Sequence, residues 1–208
     1  MKRWGLGCGG LVIVLLLVAL IAGVGGCSTY NRIVALQQGT ENAWAQVENQ
    51  YKRRADLVPN LVQTVQGAAN FERQTLNEVV NARAAATQVK IDPANITPQQ
   101  LQQFEDAQGR LSSALSRLLV TVERYPELKA NANFQTLQAQ IEGTENRIAV
   151  ERQRFNDAVR GYNTLIKQFP ASFVARFGGF TSKPYFQAPA GSETPPQVKF
   201  DFGKGTNK

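Results

Sequence analysis

The segment FQTLQAQIEGTENRIAVERQRFNDAVRGYNTLIKQF, residues 134–169, has an apolar or aromatic residue at every seventh position. These positions are Phe134, Ile141, Ile148, Phe155, Tyr162 and Phe169, with Leu137, Thr144, Ala158 and Leu165 between them. Two such positions in every seven residues form one stripe along an α-helix. The spacing therefore predicts a long helix that buries one face against other helices.

The chain before this segment repeats the helical period, because its apolar residues recur at three- and four-residue steps from residue 30 onward. Thr97 and Pro98 are typical of an N-cap and a first helical residue. Pro59 cannot donate a hydrogen bond to the preceding turn, so we expect a helix break near it. The sequence thus predicts four helices, at roughly 30–57, 60–90, 98–125 and 131–168.

Long helices joined by short connections pack most simply as an antiparallel up-and-down four-helix bundle. We assign this all-α bundle to residues 28–169. An extended coiled coil with another chain, including a homo-oligomer, would use the same seven-residue pattern. Aromatic residues such as Phe155 fit a four-helix core more easily than a two-stranded seam, so we favour the bundle.

Residues 5–26 carry no charge and follow Lys2 and Arg3. A helix of this length reaches roughly 33 Å, enough to cross a hydrocarbon core of about 30 Å. We therefore expect residues 1–27 to attach the protein to a membrane. The two basic residues favour a cytoplasmic N-terminus, which would place the body outside the inner leaflet, in the periplasm.

The manner of attachment has two interpretations. The segment can be an uncleaved transmembrane anchor. The sequence Val24-Gly-Gly-Cys27 also resembles a lipoprotein cleavage box, in which Cys27 would be lipidated and become the new N-terminus.

Residues 170–208 differ in character, since they hold five of the nine prolines and five of the seventeen glycines. This composition predicts an irregular extension without a long helix. The extension is also rich in aromatic residues, and we expect residues 173–186 to fold back on the bundle end. The alternative is a disordered tether whose aromatics dock on a partner. The candidate partner surface consists of Phe177, Phe180, Tyr185 and Phe186.

The stretch AWAQVENQYKRRADLVPNLV, residues 43–62, resembles the block that defines the bacterial LemA family. The resemblance continues through residues 145–156 and into the Phe-Gly-Gly-Phe and Tyr-Phe sequences that end at Phe180 and Phe186. It implies a membrane-attached helical bundle of the bacterial envelope, without assigned enzymatic activity and usually anchored by one N-terminal span. The cysteine box at residue 27 departs from such a plain anchor.

Composition excludes several kinds of chemistry. The chain has no histidine, which rules out Ser-His-Asp and Cys-His catalysis, and two cysteines cannot form a four-thiolate zinc site. We therefore expect neither catalytic residues nor a metal or cofactor. The net charge of +7 is spread among acidic residues along the helices, so we expect no nucleic-acid partner.

Seven polar residues lie at or beside the predicted apolar stripes, and we single out the charged residues Arg54, Glu72 and Glu151; the other four are Gln37, Glu41, Gln108 and Thr144. A buried charge is costly unless it is paired, so an inward-facing Glu72 or Glu151 would need a cation such as Arg54. We hypothesise that the three form an internal polar layer that fixes helix register or receives a ligand. The other interpretation is that they extend from the bundle edge into solvent.

The sequence therefore predicts a non-enzymatic, membrane-tethered protein that acts as a scaffold or accessory subunit through contacts with an unidentified protein partner. The alternative is a sensing module that binds a small ligand in the bundle core.

Overall fold

A computed structural model of the chain describes residues 4–67 and 71–187. These residues are helical and contain no strand, which confirms the predicted all-α class. The helices are α1 (Trp4–Gln66), α2 (Arg73–Gln88), α3 (Pro98–Val122), α4 (Pro126–Lys129), α5 (Ala132–Lys167) and α6 (Ala171–Phe177). Lys2, Arg3 and the end of the predicted extension, from residue 188 onward, lie outside the described residues.

Helix α1 is one continuous element of 63 residues, so the break predicted near Pro59 is wrong. Val58, Leu61 and Val65 are all buried, and their packing keeps the chain helical on both sides of the proline. The missing amide hydrogen of Pro59 frees the carbonyl of Ala55, four residues earlier. Arg83 of α2 donates its Nε hydrogen to this carbonyl at 2.7 Å. The proline thus marks a point where α2 is hydrogen-bonded to α1.

Apolar side chains pack in three clusters along the molecule, which we name by their position on α1. The distal cluster joins α1, α2, α3 and α5 around Leu61, Val79, Leu118 and Ile141. The central cluster surrounds Trp44 with Phe104, Phe155 and Phe186. The proximal cluster brings Ile33 of α1 against Tyr162, Ile166, Ala171 and Ala175. The protein is therefore held together over the whole length that α1 and α5 share.

The seven-residue pattern of α5 is confirmed at five of its six positions. Phe134, Ile141, Ile148, Phe155 and Tyr162 are all buried. Phe169 is 81% exposed, because α5 ends at Lys167 and the chain turns before the short helix α6. The predicted start of α3 is also confirmed: the Thr97 hydroxyl accepts from the amide of Gln100, whose side chain accepts from the amide of Thr97.

Within residues 4–67 and 71–187, no helix combines the length and the apolarity that crossing a bilayer requires.

The hydrogen bond beside Pro59 yields a stability prediction. Arg83→Met is expected to lower the free energy of unfolding by about 1 kcal/mol, because the Ala55 carbonyl loses a donor. In a Pro59→Ala background the new amide at residue 59 can donate to the same carbonyl, so the same substitution should cost less.

Urea unfolding of the four proteins of this double-mutant cycle measures the coupling. Arg110→Met, which replaces an exposed arginine of α3, serves as the control and should cost the same in both backgrounds. Equal costs of Arg83→Met in the two backgrounds would contradict the assignment.

Candidate functional site

Arg54 is a charged residue at the centre of the helical body, and it is only 1% exposed. Its Nη1 donates to the Glu145 carboxylate at 2.6 Å and to the Ser112 hydroxyl at 2.7 Å. Its Nη2 donates to Oε1 of Gln108 at 2.7 Å and to the carbonyl of Gln108 at 3.2 Å. One guanidinium therefore joins α1 to both α3 and α5. We call Arg54, Gln108, Ser112 and Glu145 the Arg54 network.

Gln108 extends this network to α2. Its Nε2 donates to the carbonyl of Ala86 at 3.1 Å. Ala86 lies in the last turn of α2, where carbonyls lack partners within the helix, so the glutamine supplies one of the missing donors. All four long helices thus meet at one buried polar layer.

Tyr51 lies beside the cation, with its ring centroid 5.1 Å from the guanidinium carbon of Arg54. Burial raises the pKa of Tyr51, an effect that the nearby charges of Arg152 and Arg54 partly oppose. The phenol is therefore kept neutral and acts as an aromatic neighbour of the cation.

The structure does not bring the other two predicted members of the layer to Arg54. Glu72 is an exposed residue before α2 and makes no side-chain capping bond. Glu151 accepts a hydrogen bond from Arg154 on its own helix at 2.7 Å. The carboxylate that pairs with Arg54 is Glu145, and its side chain is 40% exposed. The predicted set of Arg54, Glu72 and Glu151 is therefore wrong in both carboxylates.

Helix geometry explains the difference. Glu151 follows Glu145 by six residues, which places it about 9 Å further along α5 and about 120° around it. Glu145 directly follows Thr144, a buried stripe position, and so lies at the edge of the interface. From this edge a carboxylate can contact a buried cation while one side stays hydrated. The sequence signal that could have indicated this pair is a charged residue directly beside an apolar stripe, as Glu145 is beside Thr144.

Residues 180–187 form an extended segment that we call the C-terminal strap, and two asparagines of α5 bind its backbone. Asn163 donates to the carbonyl of Lys183 at 2.8 Å and accepts from the amide of Lys183 at 2.9 Å. Asn156 makes the same pair of bonds with Phe186, at 3.1 and 2.9 Å. Each side-chain amide therefore satisfies both backbone groups of one strap residue.

The spacing of the two asparagines matches the strap. Asn156 and Asn163 are seven residues apart, which is about 10.5 Å along a helix. Lys183 and Phe186 are three residues apart, which is about 10 Å of extended chain. The strap therefore runs antiparallel to α5, and two asparagines on one face of that helix fix its register.

Side chains of the strap also reach into the body. Phe186 is buried, and its ring stacks on Trp44 with a centroid separation of 5.8 Å and an interplanar angle of 10°. The guanidinium carbon of Arg152 lies 4.6 Å from the Phe186 ring centroid. The Nζ of Lys183 donates to the carbonyls of Pro93 and Ala94, in the connection between α2 and α3, at 2.7 and 3.0 Å.

The four residues of the predicted partner surface differ in their exposure. Phe186 belongs to the core, so its assignment to a surface is wrong. Phe180 is partly buried and contacts the ring of Tyr30 with a centroid separation of 5.4 Å. Tyr185 and Phe177 are 41% and 89% exposed. The expected folding back of residues 173–186 is thus seen, but it uses part of the aromatic set internally.

The proximal end of the molecule carries an open apolar groove between α1 and α6, with a volume of ≈ 540 Å³. Cys27, the candidate lipidation site, is an exposed free cysteine of α1 that lines this groove. Tyr30 lies one turn further along α1, and Phe173 and Phe177 of α6 form the opposite wall. Among the described residues, no group of His, Cys, Asp and Glu side chains could hold a metal ion.

Fold and site together define a class: an all-helical protein with a buried arginine at the centre of its long helices and a C-terminal strap fastened along one of them. The sequence model of the LemA family matches residues 43–200, so the chain belongs to the LemA family. This confirms the resemblance seen in the sequence.

Three relatives illustrate the similarity. Magnetosome protein MamQ 2 of Paramagnetospirillum magneticum is 26% identical over 202 residues, which cover 89% of this chain and 74% of the relative. Magnetosome protein MamQ of Magnetospirillum gryphiswaldense is 24% identical over 218 residues, covering 95% and 80%. Protein LemA of Metamycoplasma hominis is 24% identical over 158 residues, covering 76% and 68%.

The Arg54 network predicts unequal costs for removing its two charges. Glu145→Ala leaves a fully buried cation without a carboxylate and should lower the free energy of unfolding by about 3 kcal/mol. Arg54→Met leaves a carboxylate that water can reach, and should cost about 1–2 kcal/mol.

Chemical unfolding measures both values. Glu78→Ala removes one partner of the exposed pair between Glu78 and Arg117 and is the matched control, with a loss of about 0–1 kcal/mol. If Glu145→Ala cost no more than the control, the cation would not depend on its carboxylate.

Lys183 predicts a dependence of stability on pH. Burial lowers the pKa of Lys183 below its ordinary 10.5, although Glu41 and Asp92 act in the opposite direction. Between the lowered value and 10.5, the unfolded chain binds more protons at this residue than the folded chain, so the free energy of unfolding rises with pH. Lys183→Met lacks this contribution.

The free energy of unfolding of the native protein, minus that of Lys183→Met, should therefore increase as pH rises toward 10.5. Chemical unfolding at a series of pH values gives this difference. Lys52→Met replaces an exposed lysine and is the control. A difference for Lys183→Met that stays constant or falls would show that burial does not oppose its charge.

Proposed function

We propose that this protein is a non-enzymatic, membrane-tethered helical protein of the bacterial envelope that acts as a scaffold or accessory subunit through protein contacts. The observation that carries the proposal is the course of α1. Its amino-terminal part exposes large apolar side chains, and the same helix continues without a break to Gln66 at the distal end of the body.

The exposed apolar side chains of α1 support attachment to a membrane. Leu11, Val12, Ile13, Val14, Leu15, Leu16, Leu17, Leu20 and Val24 are each 54–67% exposed. Moving one such side chain fully out of water is worth about 1.5–3 kcal/mol, so a continuous run of them strongly favours an apolar surrounding. We propose that residues 5–26 supply this attachment, with lipidation of Cys27 as the alternative, and that the body is periplasmic.

The continuity of α1 supports a scaffold. A helix without a linker transmits the orientation of its membrane segment directly to the body, whereas a flexible connection would leave the body free to rotate. The Arg54 network and the strap then hold the other helices to this axis. The contacts that α2, α3 and α5 make with α1 also support the predicted up-and-down arrangement of these four helices.

The chemistry of the centre favours a structural role over catalysis or ligand binding. The whole sequence lacks histidine. Both terminal nitrogens of Arg54 donate to protein acceptors, so its charge is used to join helices and is not offered to a ligand. Two relatives are named magnetosome proteins, and a component of a larger cellular structure is the kind of role that we propose here.

Attachment is tested with the full chain in native membranes. The unmodified protein should stay in the membrane fraction after an alkaline carbonate wash. Leu16→Arg combined with Leu17→Arg should release it, because each arginine at the centre of a span costs roughly 2.5–3.5 kcal/mol. The control is Val120→Arg combined with Val150→Arg, which places the same charges on exposed residues of α3 and α5.

The proposal fails if the unmodified protein is itself released, or if the control is released as readily as the variant. The intact mass of the protein extracted from these membranes separates the two modes of attachment: a lipoprotein has lost residues 1–26 and gained acyl chains on Cys27, whereas an uncleaved anchor keeps the mass of the full chain. The scaffold role is tested by crosslinking in the same membranes, where reproducible protein neighbours are expected. Their absence would count against a scaffold.

A further inference from the structure

Helix α6 buries its small alanines and exposes its large phenylalanines, the reverse of an ordinary surface helix. Ala171 and Ala175 are 3% exposed and pack on Ile33, Tyr162 and Ile166. Phe173 and Phe177 are 59% and 89% exposed. A helix on the surface of a water-soluble domain normally turns its largest apolar side chains inward, so this distribution indicates an apolar surrounding on the outer side.

Phe169 extends this surface. It is 81% exposed, and its ring contacts that of Phe173 with a centroid separation of 5.9 Å. Phe169, Phe173 and Phe177 are spaced by four residues, and we call them the aromatic row. Three exposed phenylalanines in one row exceed the scattered apolar residues of an ordinary surface.

The aromatic row lies next to the apolar part of α1. Phe173 and Phe177 share a groove with Gly26 and Cys27. At about 1.5 Å per residue, the exposed Val24 lies only about 4.5 Å further along the α1 axis from Cys27. The aromatic row is therefore continuous with the run of exposed apolar side chains proposed to enter the membrane.

The charges around this end have one sign. The sequence contains no acidic residue before Glu41 and none between Asp157 and Glu193. Arg32, Lys167 and Arg176, which lie in these two stretches, are all exposed. Basic side chains beside aromatic ones are suited to a lipid surface with anionic head groups, where the rings enter the interface and the cations contact phosphates.

We propose that the aromatic row, which lies on α6 and at Phe169 just before it, is a second membrane contact that inserts into the interface of the bilayer that holds α1. This inference rests on the proposed membrane tether. Two separate contacts restrict the tilt of the body against the bilayer more than the span of α1 does alone. On this proposal, lipid contacts the groove between α1 and α6 at its outer edge. Contact of this edge with residues 188–208 or with a second copy of the protein would be the competing outcomes.

The test places the photocrosslinker p-benzoylphenylalanine at residue 177 of the full chain, in vesicles of phosphatidylethanolamine and phosphatidylglycerol. Irradiation followed by mass spectrometry identifies what is attached. The control carries the same group in place of Val120, which is 66% exposed on α3 beside the distal cluster. We expect lipid adducts at residue 177 and none at residue 120.

Flotation of the unirradiated protein with the vesicles separates the two levels of the proposal. Protein that floats but gives no lipid adduct at residue 177 refutes the second contact and leaves the tether standing. Adducts to residues 188–208 or to another protein copy refute it as well. Equal lipid adducts at residues 177 and 120 would also refute the second contact, because lipid would then touch the body without preference for the aromatic row. Protein that does not float removes the tether and the inference with it.

Discussion

The arrangement of the long helices depends on the burial of one guanidinium. An arginine that is removed from water must have its donors satisfied, and the penalty for failing to do so is several kcal/mol. The two terminal nitrogens of Arg54 meet this requirement only when α3 supplies Gln108 and Ser112 and α5 supplies Glu145 at the same level. The buried Nε of Arg54 has no hydrogen-bond partner among the described residues, so the network depends on these terminal contacts. A shift of either helix by one turn, about 5.4 Å, would break these bonds. The apolar stripes favour contact between helices in general, whereas the bonds of Arg54 require one particular alignment of α1, α3 and α5.

The strap depends on this register in turn. The ring of Phe186 occupies the space beside Trp44 and Phe155, which lie on α1 and α5. That space exists only when the two helices are correctly aligned. The asparagines of α5 then hold the strap backbone, whose polar groups would otherwise be buried without partners. The central core is thus completed by a segment that lies after the last helix in the chain.

Features with a local periodic cause could be predicted from the sequence. The stripe of α5 and the capping residues of α3 follow from helix geometry, and the predicted residues agree with the observed ones except at Phe169. The prediction of a break at Pro59 fails because it rests on the local cost of a proline in a helix interior, about 3 kcal/mol, and not on the residues packed around it. Val58, Leu61 and Val65 compensate for that cost through burial, and Arg83 uses the freed carbonyl. Both compensations come from residues that no local pattern connects to the proline.

The pairs that define the centre could not be predicted for a related reason. Glu145 and Glu151 are the same residue type and lie six residues apart on the same helix, so only the relative rotation of α1 and α5 decides which one meets Arg54. Phe177 and Phe186 are likewise two aromatics of one tail, yet one is 89% and the other 5% exposed. Their difference arises from the asparagines at residues 156 and 163, whose role becomes visible only when the strap lies beside them. An aromatic residue in such a tail therefore indicates an external contact only after the structure has shown which aromatics of the tail are buried. Phe186 is buried in the central cluster, whereas Phe169, Phe173 and Phe177 stay exposed on the described part of the chain, and this difference is the reason to look for a contact outside the protein body.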